Sequence, residues 1–174
     1  TDGALYGTPP YGGSSGAGTV FKLNPDGTGF TVLQNFDYST TGAYLYSGLT
    51  QGTDGALYGT ASGGGSAAYG TLFKLNPDGN DFTVLKNFNN SLSGGVPVSR
   101  LLQGTDGMLY GTALQGGSSG FGTVFKLNPN GTGFTVLQNF DASRAGAYPV
   151  AGLIQGADAA LYGTAAQGGG SGYG

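Results

Sequence analysis

The chain contains no His, no Cys, no Trp and no Glu, so that all nine acidic residues are Asp. Without His or Cys, nucleophilic catalysis of the Ser–His–Asp or Cys–His kind is excluded, and so are disulfides and thiolate metal sites. Glycoside hydrolysis by paired carboxylates would have to run on Asp alone. Charged residues make up only 9% of the 174 positions, the net charge is −3, and the six Lys and Arg are scattered. No basic patch results, so nucleic acid is not an expected partner. No apolar run approaches the roughly 20 residues that a membrane-spanning helix needs, and membrane insertion is not expected. The acidic residues show no D-x-D-x-D cluster for calcium. The glycine-rich run Gly116-Gly117-Ser118-Ser119-Gly120 lacks the Lys and the helix of a phosphate loop. Catalytic residues, cofactors and metals are therefore all expected to be none, and the chain is not expected to be an enzyme.

Glycine is plentiful: 38 residues, enough to suggest a low-complexity linker. The 11 Tyr and 10 Phe argue against disorder, because disordered chains are poor in aromatics. They recur at fixed places. The string from Leu109 to Phe140 is nearly repeated at Leu5–Phe36 and at Leu57–Phe88, and it starts again at Leu161. Tyr6, Tyr58, Tyr110 and Tyr162 are spaced by 52 residues without insertion or deletion. Such a period marks a repeat architecture. The chain reads as one array over 1–174, with units at about 1–52, 53–104 and 105–156 and a partial unit at 157–174. It opens with Thr and without a signal peptide, as an interior or mature piece of a longer chain would.

The second copy parses into four strands. Ser47–Gln51 is followed by the turn Gly52-Thr53-Asp54-Gly55, a hairpin signal because Asp and Gly tolerate positive φ. Ala56–Ala61 leads to the glycine-rich loop Ser62–Tyr69. Gly70–Asn76 is closed by the turn Pro77-Asp78-Gly79, and Phe82–Phe88 completes the set. Breakers every 8–12 residues and the absence of a 3.6-residue period argue against helices. In the third strand Thr71, Phe73 and Leu75 alternate with Leu72 and Lys74, which puts apolar groups on both faces. Such a sheet needs a neighbour on each side. The predicted fold is all-β, with tandem 52-residue four-stranded antiparallel meanders stacked as blades of a β-propeller, as a partial propeller or an open stack. Gly59, Gly111 and Gly163, inside the second strand of their units, predict close approach of an aromatic ring from an adjacent packed sheet.

The pattern LYGT…GG…GTVFKLN…G…FTVLQNF, with the connector residues Pro149, Gly152, Leu153, Ile154 and Gln155, resembles the GloVer (Gloeobacter/Verrucomicrobia-type) tandem repeat over essentially the whole chain. The resemblance implies secreted or surface-anchored bacterial proteins with propeller-like β structure, and carries over no enzyme activity. Propellers close with four to eight blades, more than the three complete periods present. The expected partners are further repeats of the same chain, or copies of itself joined through open sheet edges.

Most distinctive polar residues have a structural explanation. Asp2, Asp26, Asp54, Asp78 and Asp106 precede turn glycines, and Asp158 occupies the same turn with Ala159 in the glycine's place. Lys22, Lys74 and Lys126 read as rim lysines whose stems cover apolar surface. Tyr6, Tyr58, Tyr110 and Tyr162 read as packed between sheets with their hydroxyls at the rim. What changes between copies is the connector after the fourth strand, covering Tyr38–Tyr46, Asn89–Val96 and Ala142–Tyr148. Variable loops on a constant frame are where binding is expected. The candidate ligand-binding residues are Tyr38, Tyr44, Tyr46, Asn89, Asn90, Arg100, Asp141, Arg144 and Tyr148. Asn89-Asn90-Ser91 and Asn130-Gly131-Thr132 match the N-glycosylation pattern. Two functions are expected: an extracellular or cell-surface structural module, serving as a scaffold, array or filament component, or alternatively a ligand-binding propeller taking glycans through its connectors.

Overall fold

The computed structural model describes residues 3–174. Asp2, one of the turn aspartates, lies outside the described residues. Those residues form thirteen strands and no helix. The first sheet contains β1 (Leu5–Gly7), β2 (Thr19–Leu23) and β3 (Thr31–Asn35). The second contains β4 (Thr50–Gln51), β5 (Leu57–Ala61), β6 (Thr71–Leu75) and β7 (Thr83–Asn87). The third repeats it with β8 (Leu102–Gln103), β9 (Leu109–Ala113), β10 (Thr123–Leu127) and β11 (Thr135–Asn139). The last holds β12 (Ile154–Gln155) and β13 (Leu161–Tyr162). Every pairing is antiparallel and follows chain order, which is the meander that the turn spacing predicts.

The second sheet is apolar on both faces, and each of its faces has a neighbour. Leu57, Ala61, Phe73 and Leu75 of the second sheet pack against Val20 and Phe36 of the first unit, with Leu45 of the connector between them. The opposite face of that sheet, carrying Tyr58 and Leu72, packs with Phe88 against Leu109, Phe125 and Leu127 of the third. The two interfaces use the same aromatic triad. Phe36 meets Phe73 at 4.8 Å and Phe82 at 5.5 Å, and Phe88 meets Phe125 at 5.2 Å and Phe134 at 6.1 Å. Burying one such ring contributes roughly 1.5–3 kcal/mol.

Two local details differ from the sequence expectation. Gly59 pairs with Phe73 across the β5–β6 ladder, and a Cβ on Gly59 would lie 2.5 Å from Cζ of Phe73. The ring over the glycine therefore comes from the paired strand of the same sheet, not from the adjacent one; Gly111 and Phe125 repeat the arrangement. The first strand of each unit is also short. Only Thr50–Gln51 pairs in the second copy, and Ser47, outside the ladder, shares a side-chain hydrogen bond of 2.8 Å with Thr60.

Polar side chains fasten neighbouring blades. Buried Thr50 donates to the carbonyl of Leu101 one blade on, and Thr112 donates to that of Ala151 at 3.2 Å. Gln103 donates through Nε2 to the carbonyl of Gly107 in its own turn at 3.0 Å, while its Oε1 accepts from the Thr53 amide of the preceding blade at 2.8 Å. Gln155 makes the same pair of bonds with Ala159 and Thr105. A register shift between Leu72 and Phe73 leaves Leu85 of β7 as a bulge, and Leu85 packs into the second core.

Candidate functional site

The meander gives the stack two ends with different chemistry. At one end lie the Asp-Gly turns. Asp54 accepts there from the Tyr58 hydroxyl at 2.7 Å, from Nζ of Lys74 at 2.9 Å and from the Ala56 amide at 3.1 Å. Burial pushes its carboxyl upward, but the bonds from Lys74 and Tyr58 outweigh that and hold it below the ordinary carboxylate range. Burial, and then the bond to Asp54, raise the Tyr58 hydroxyl. Tyr110 with Asp106 and Tyr162 with Asp158 repeat the pair at 2.6 and 2.8 Å. The buried Tyr58 and Tyr110 rings with rim hydroxyls match the sequence reading, whereas Tyr162, in the two-stranded last sheet, is 50% exposed and does not. The aspartates serve their own turns. Lys74 lies 5.5 Å from the Tyr58 ring centre, as a rim lysine should.

At the other end lie the glycine-rich loops and the connectors. Each connector is stitched to the loop of the following unit, as Ala43 is to Gly63 by two backbone bonds of 2.8 and 3.0 Å. Its first residue is an internal cap. Asp37 Oδ1 accepts from the Ser39 hydroxyl at 2.6 Å, from its amide at 3.0 Å and from the Thr40 hydroxyl at 3.1 Å. The bonds from the Ser39 and Thr40 hydroxyls lower its pKa. Asn89 and Asp141 are the equivalents: Asn89 Oδ1 accepts from the amides of Leu92 and Ser93, and Asp141 Oδ1 from those of Arg144 and Ala145. The last two bonds, Ala145 first, lower the Asp141 carboxyl.

The nine sequence candidates are thus not one site. Asn89 and Asn90 belong to the second connector, and Asp141, Arg144 and Tyr148 to the third, where Tyr148 packs edge-on to Phe121 at 5.9 Å. The side-chain oxygen of Asn90 is buried without a hydrogen-bond partner. Arg100 sits apart, on a cavity of about 570 Å³ where the first strands of three units converge through Thr50, Gln103 and Ile154; its Nε donates to Thr50 Oγ1 at 3.3 Å. Among the described residues no group of three or more acidic side chains is placed to hold a metal.

Tyr38, Tyr44 and Tyr46 do come together, and a fourth ring joins them. Tyr11, from the glycine-rich loop of the first unit, lies 5.7 Å from Tyr44 and 6.2 Å from Tyr46. Tyr38 lies 6.3 Å and Tyr46 6.5 Å from Tyr44. The hydroxyls of Tyr11 and Tyr46 share a hydrogen bond of 2.6 Å. That bond, then desolvation, raises the pKa of Tyr46. All four are exposed, at 59% for Tyr11, 48% for Tyr38, 37% for Tyr44 and 54% for Tyr46. Sequence reasoning passed over Tyr11; the signal was its place in the repeat, where the other copies carry Gly63, Gln115 and Gln167.

The Gloeobacter/Verrucomicrobia repeat profile matches residues 1–174. Comparison with curated proteins gave no match. Among solved structures the chain resembles one from a nidogen/laminin complex, with TM-score 0.64 and 16% identity over 95% of this chain and 54% of that one. It also resembles the extracellular domain described for a hybrid two-component system of B. thetaiotaomicron, with TM-score 0.63 and 12% identity over 92% and 19%. A gluconolactonase from Xanthomonas campestris gives TM-score 0.57 and 15% identity over 94% and 51%. At these identities the likeness is one of fold, that of the β-propeller. The chain spans about half the length of the first and third of these structures and about a fifth of the second.

Proposed function

This chain belongs to the Gloeobacter/Verrucomicrobia repeat family, and from that premise we propose that it is a non-enzymatic propeller module of an extracellular or cell-surface protein, a rigid frame on which the connectors are displayed. One observation carries the reading: the repeated polar side chains are engaged by the fold itself. The carboxylates of Asp54, Asp106 and Asp158 are held by their own tyrosines and turns. Gln103 and Gln155 bind blade to blade. Buried Thr and Ser hydroxyls bond one another or a neighbour's carbonyl. What remains for partners lies in the connectors. The extracellular placement draws on the low charge and on the likeness to an extracellular domain; among the described residues no helix is long and apolar enough to cross a membrane.

The gluconolactonase likeness supplies the sharpest test. The purified chain, incubated with aldonolactones and chromogenic esters and glycosides, is expected to release no product above buffer. Saturable turnover that co-purifies with the chain would overturn the proposal. The array form, in which copies join through sheet edges, predicts a weight-average mass that rises with concentration in sedimentation equilibrium; a constant monomer mass refutes it. The glycan-binding reading is favoured by the exposed tyrosine cluster.

A further inference from the structure

We infer that Tyr11, Tyr38, Tyr44 and Tyr46 form a binding platform for a neutral polysaccharide built of β-linked, gluco-configured pyranose units. This rests on the reading of the connectors as the displayed parts of the frame, and adds to it the site and the chemical class of its ligand.

The cluster is not a by-product of folding. The rings that fold the chain, such as Phe36, Phe73, Phe88 and Phe125, are buried to within 1%. The four tyrosines are half-exposed; other exposed rings, such as Tyr69 and Tyr162, lie outside this cluster. These four touch one another, and a contiguous exposed aromatic patch of this kind marks an interaction surface. Nor does the repeat demand aromatics there. Position 38 corresponds to Asn90 and Ala142, position 44 to Val96 and Tyr148, and position 46 to Val98 and Val150. Together with Tyr11, the first interface holds four aromatics at positions the other two fill mostly with small, amide or aliphatic residues.

The chemistry selects the occupant. Phenol ring faces are electron-rich and attract polarised C–H bonds. A β-gluco pyranose, with its hydroxyls equatorial, presents axial C–H groups on both faces and a rim of hydroxyls. The Tyr11–Tyr46 pair shares one proton internally, which leaves one O–H donor and free lone pairs for that rim. Charge is missing from the platform. The loop Thr8–Gly18 carries no charged residue, and the connector Asp37–Tyr46 carries only Asp37, whose carboxylate is held by Ser39 and Thr40. An acidic polysaccharide would find no cation here, and a basic peptide no free carboxylate. The rings meet at angles from 24° to 85°, an open, faceted surface suited to the middle of a sugar chain.

The test is affinity electrophoresis of the chain in native gels containing barley β-glucan, dextran or no polysaccharide, with tyrosine emission, unobscured because the protein has no Trp, as a solution titration. Retardation by β-glucan but not by dextran is expected, and Tyr11→Ala or Tyr46→Ala should each weaken it about tenfold, while Tyr46→Phe keeps most of it. Tyr44→Gly is the decisive variant: Tyr44 holds φ +64°, which glycine adopts without strain, so binding is lost while the thermal midpoint is kept. No retardation by β-glucan, equal retardation by dextran, or retardation undiminished in Tyr44→Gly would each overturn the inference. None of these outcomes bears on the non-enzymatic frame, whose failure would show as turnover instead.

Discussion

Replacing Gly59 with Ala tests the packing logic of the whole array, because it adds one methyl group where a ring already sits. The new Cβ would lie 2.5 Å from Cζ of Phe73 and 2.8 Å from Cδ2 of Leu49. Phe73 is wholly buried and held against Phe36 and Phe82, so the ring cannot swing away cheaply. Overpacking of this kind costs about 1–3 kcal/mol. Ala also stiffens the unfolded chain, a gain of roughly 0.4–1 kcal/mol. The steric term wins, for a net loss of about 1–2 kcal/mol and a fall in thermal midpoint of about 2–8 °C for a chain of this size. Gly48→Ala is the matched control: Gly48 has no positive φ and nothing within 4 Å of a built Cβ, and the next copy carries Arg100 at that position. It should be neutral or slightly stabilising. In a Phe73→Leu background Gly59→Ala should cost less, giving a coupling of about 0.5–3 kcal/mol. A scan by circular dichroism in which Gly59→Ala and Gly48→Ala behave alike would refute the argument that the ring owns the space over the glycine.

The other expectations concern the polar fasteners. Asp54 has a depressed carboxyl pKa in the folded chain, so its contribution is present above the unfolded carboxylate value, about 3.9, and is lost as the pH falls through the folded one. The thermal midpoint should therefore drop in acid below about pH 4, and Asp54→Asn should flatten that slope; an unchanged acid limb would be contrary. Gln103→Ala removes the acceptor of the Thr53 amide, so hydrogen exchange at Thr53 should speed up and stability fall by about 1 kcal/mol; unchanged exchange would show that the inter-blade bond is not formed in solution. Ser99 and Thr112 share a buried bond of 2.7 Å. Ser99→Ala or Thr112→Val alone should cost about 1–3 kcal/mol, and the double variant less than their sum, measured by denaturant unfolding.

The strands were legible because turn chemistry and a 52-residue period state them repeatedly. Ala56–Ala61, Gly70–Asn76 and Phe82–Phe88 differ from the observed β5, β6 and β7 by at most one residue at each end. The two-faced apolar pattern of Thr71–Leu75 likewise sufficed to predict a neighbour on each side. Pairing within a sheet was harder to read. Only the register shows that Phe73 stands opposite Gly59, and a period cannot say whether a ring comes from the next strand or the next sheet. The bulge at Leu85 and the Gln103–Thr53 bond are of the same kind. Both depend on where two segments 50 or fewer residues apart meet, which composition and spacing do not encode. At the candidate site the connectors stand out in the sequence as the parts that vary between copies. Their acidic and amide residues looked equally available, yet Asn89 and Asp141 are spent on their own loops. Tyr11 looked like a loop residue until folding set it beside Tyr44 and Tyr46.

The connector backbone explains why such a platform can exist on so regular a frame. Tyr44, Val96 and Tyr148 occupy one repeat position and all have positive φ, at 64°, 56° and 56°. For side chains with a Cβ this region costs roughly 1–2 kcal/mol, and for a β-branched residue such as Val96 it is a genuine outlier. The fold imposes it. Tyr44 donates its amide to Ala17 of the first unit and receives on its carbonyl the Ser62 amide of the second; Val96 does the same between Tyr69 and Leu114, and Tyr148 between Phe121 and Ala166. A left-handed residue is what lets the N–H and the C=O of one residue face two blades at once. Glycine would meet that demand without strain, and the chain, which uses glycine freely at 38 other positions, does not place it there. The strain is tolerated in favour of a side chain. At Tyr44 that side chain is the ring touching all three of its companions, so the position that joins two blades is also the centre of the tyrosine platform.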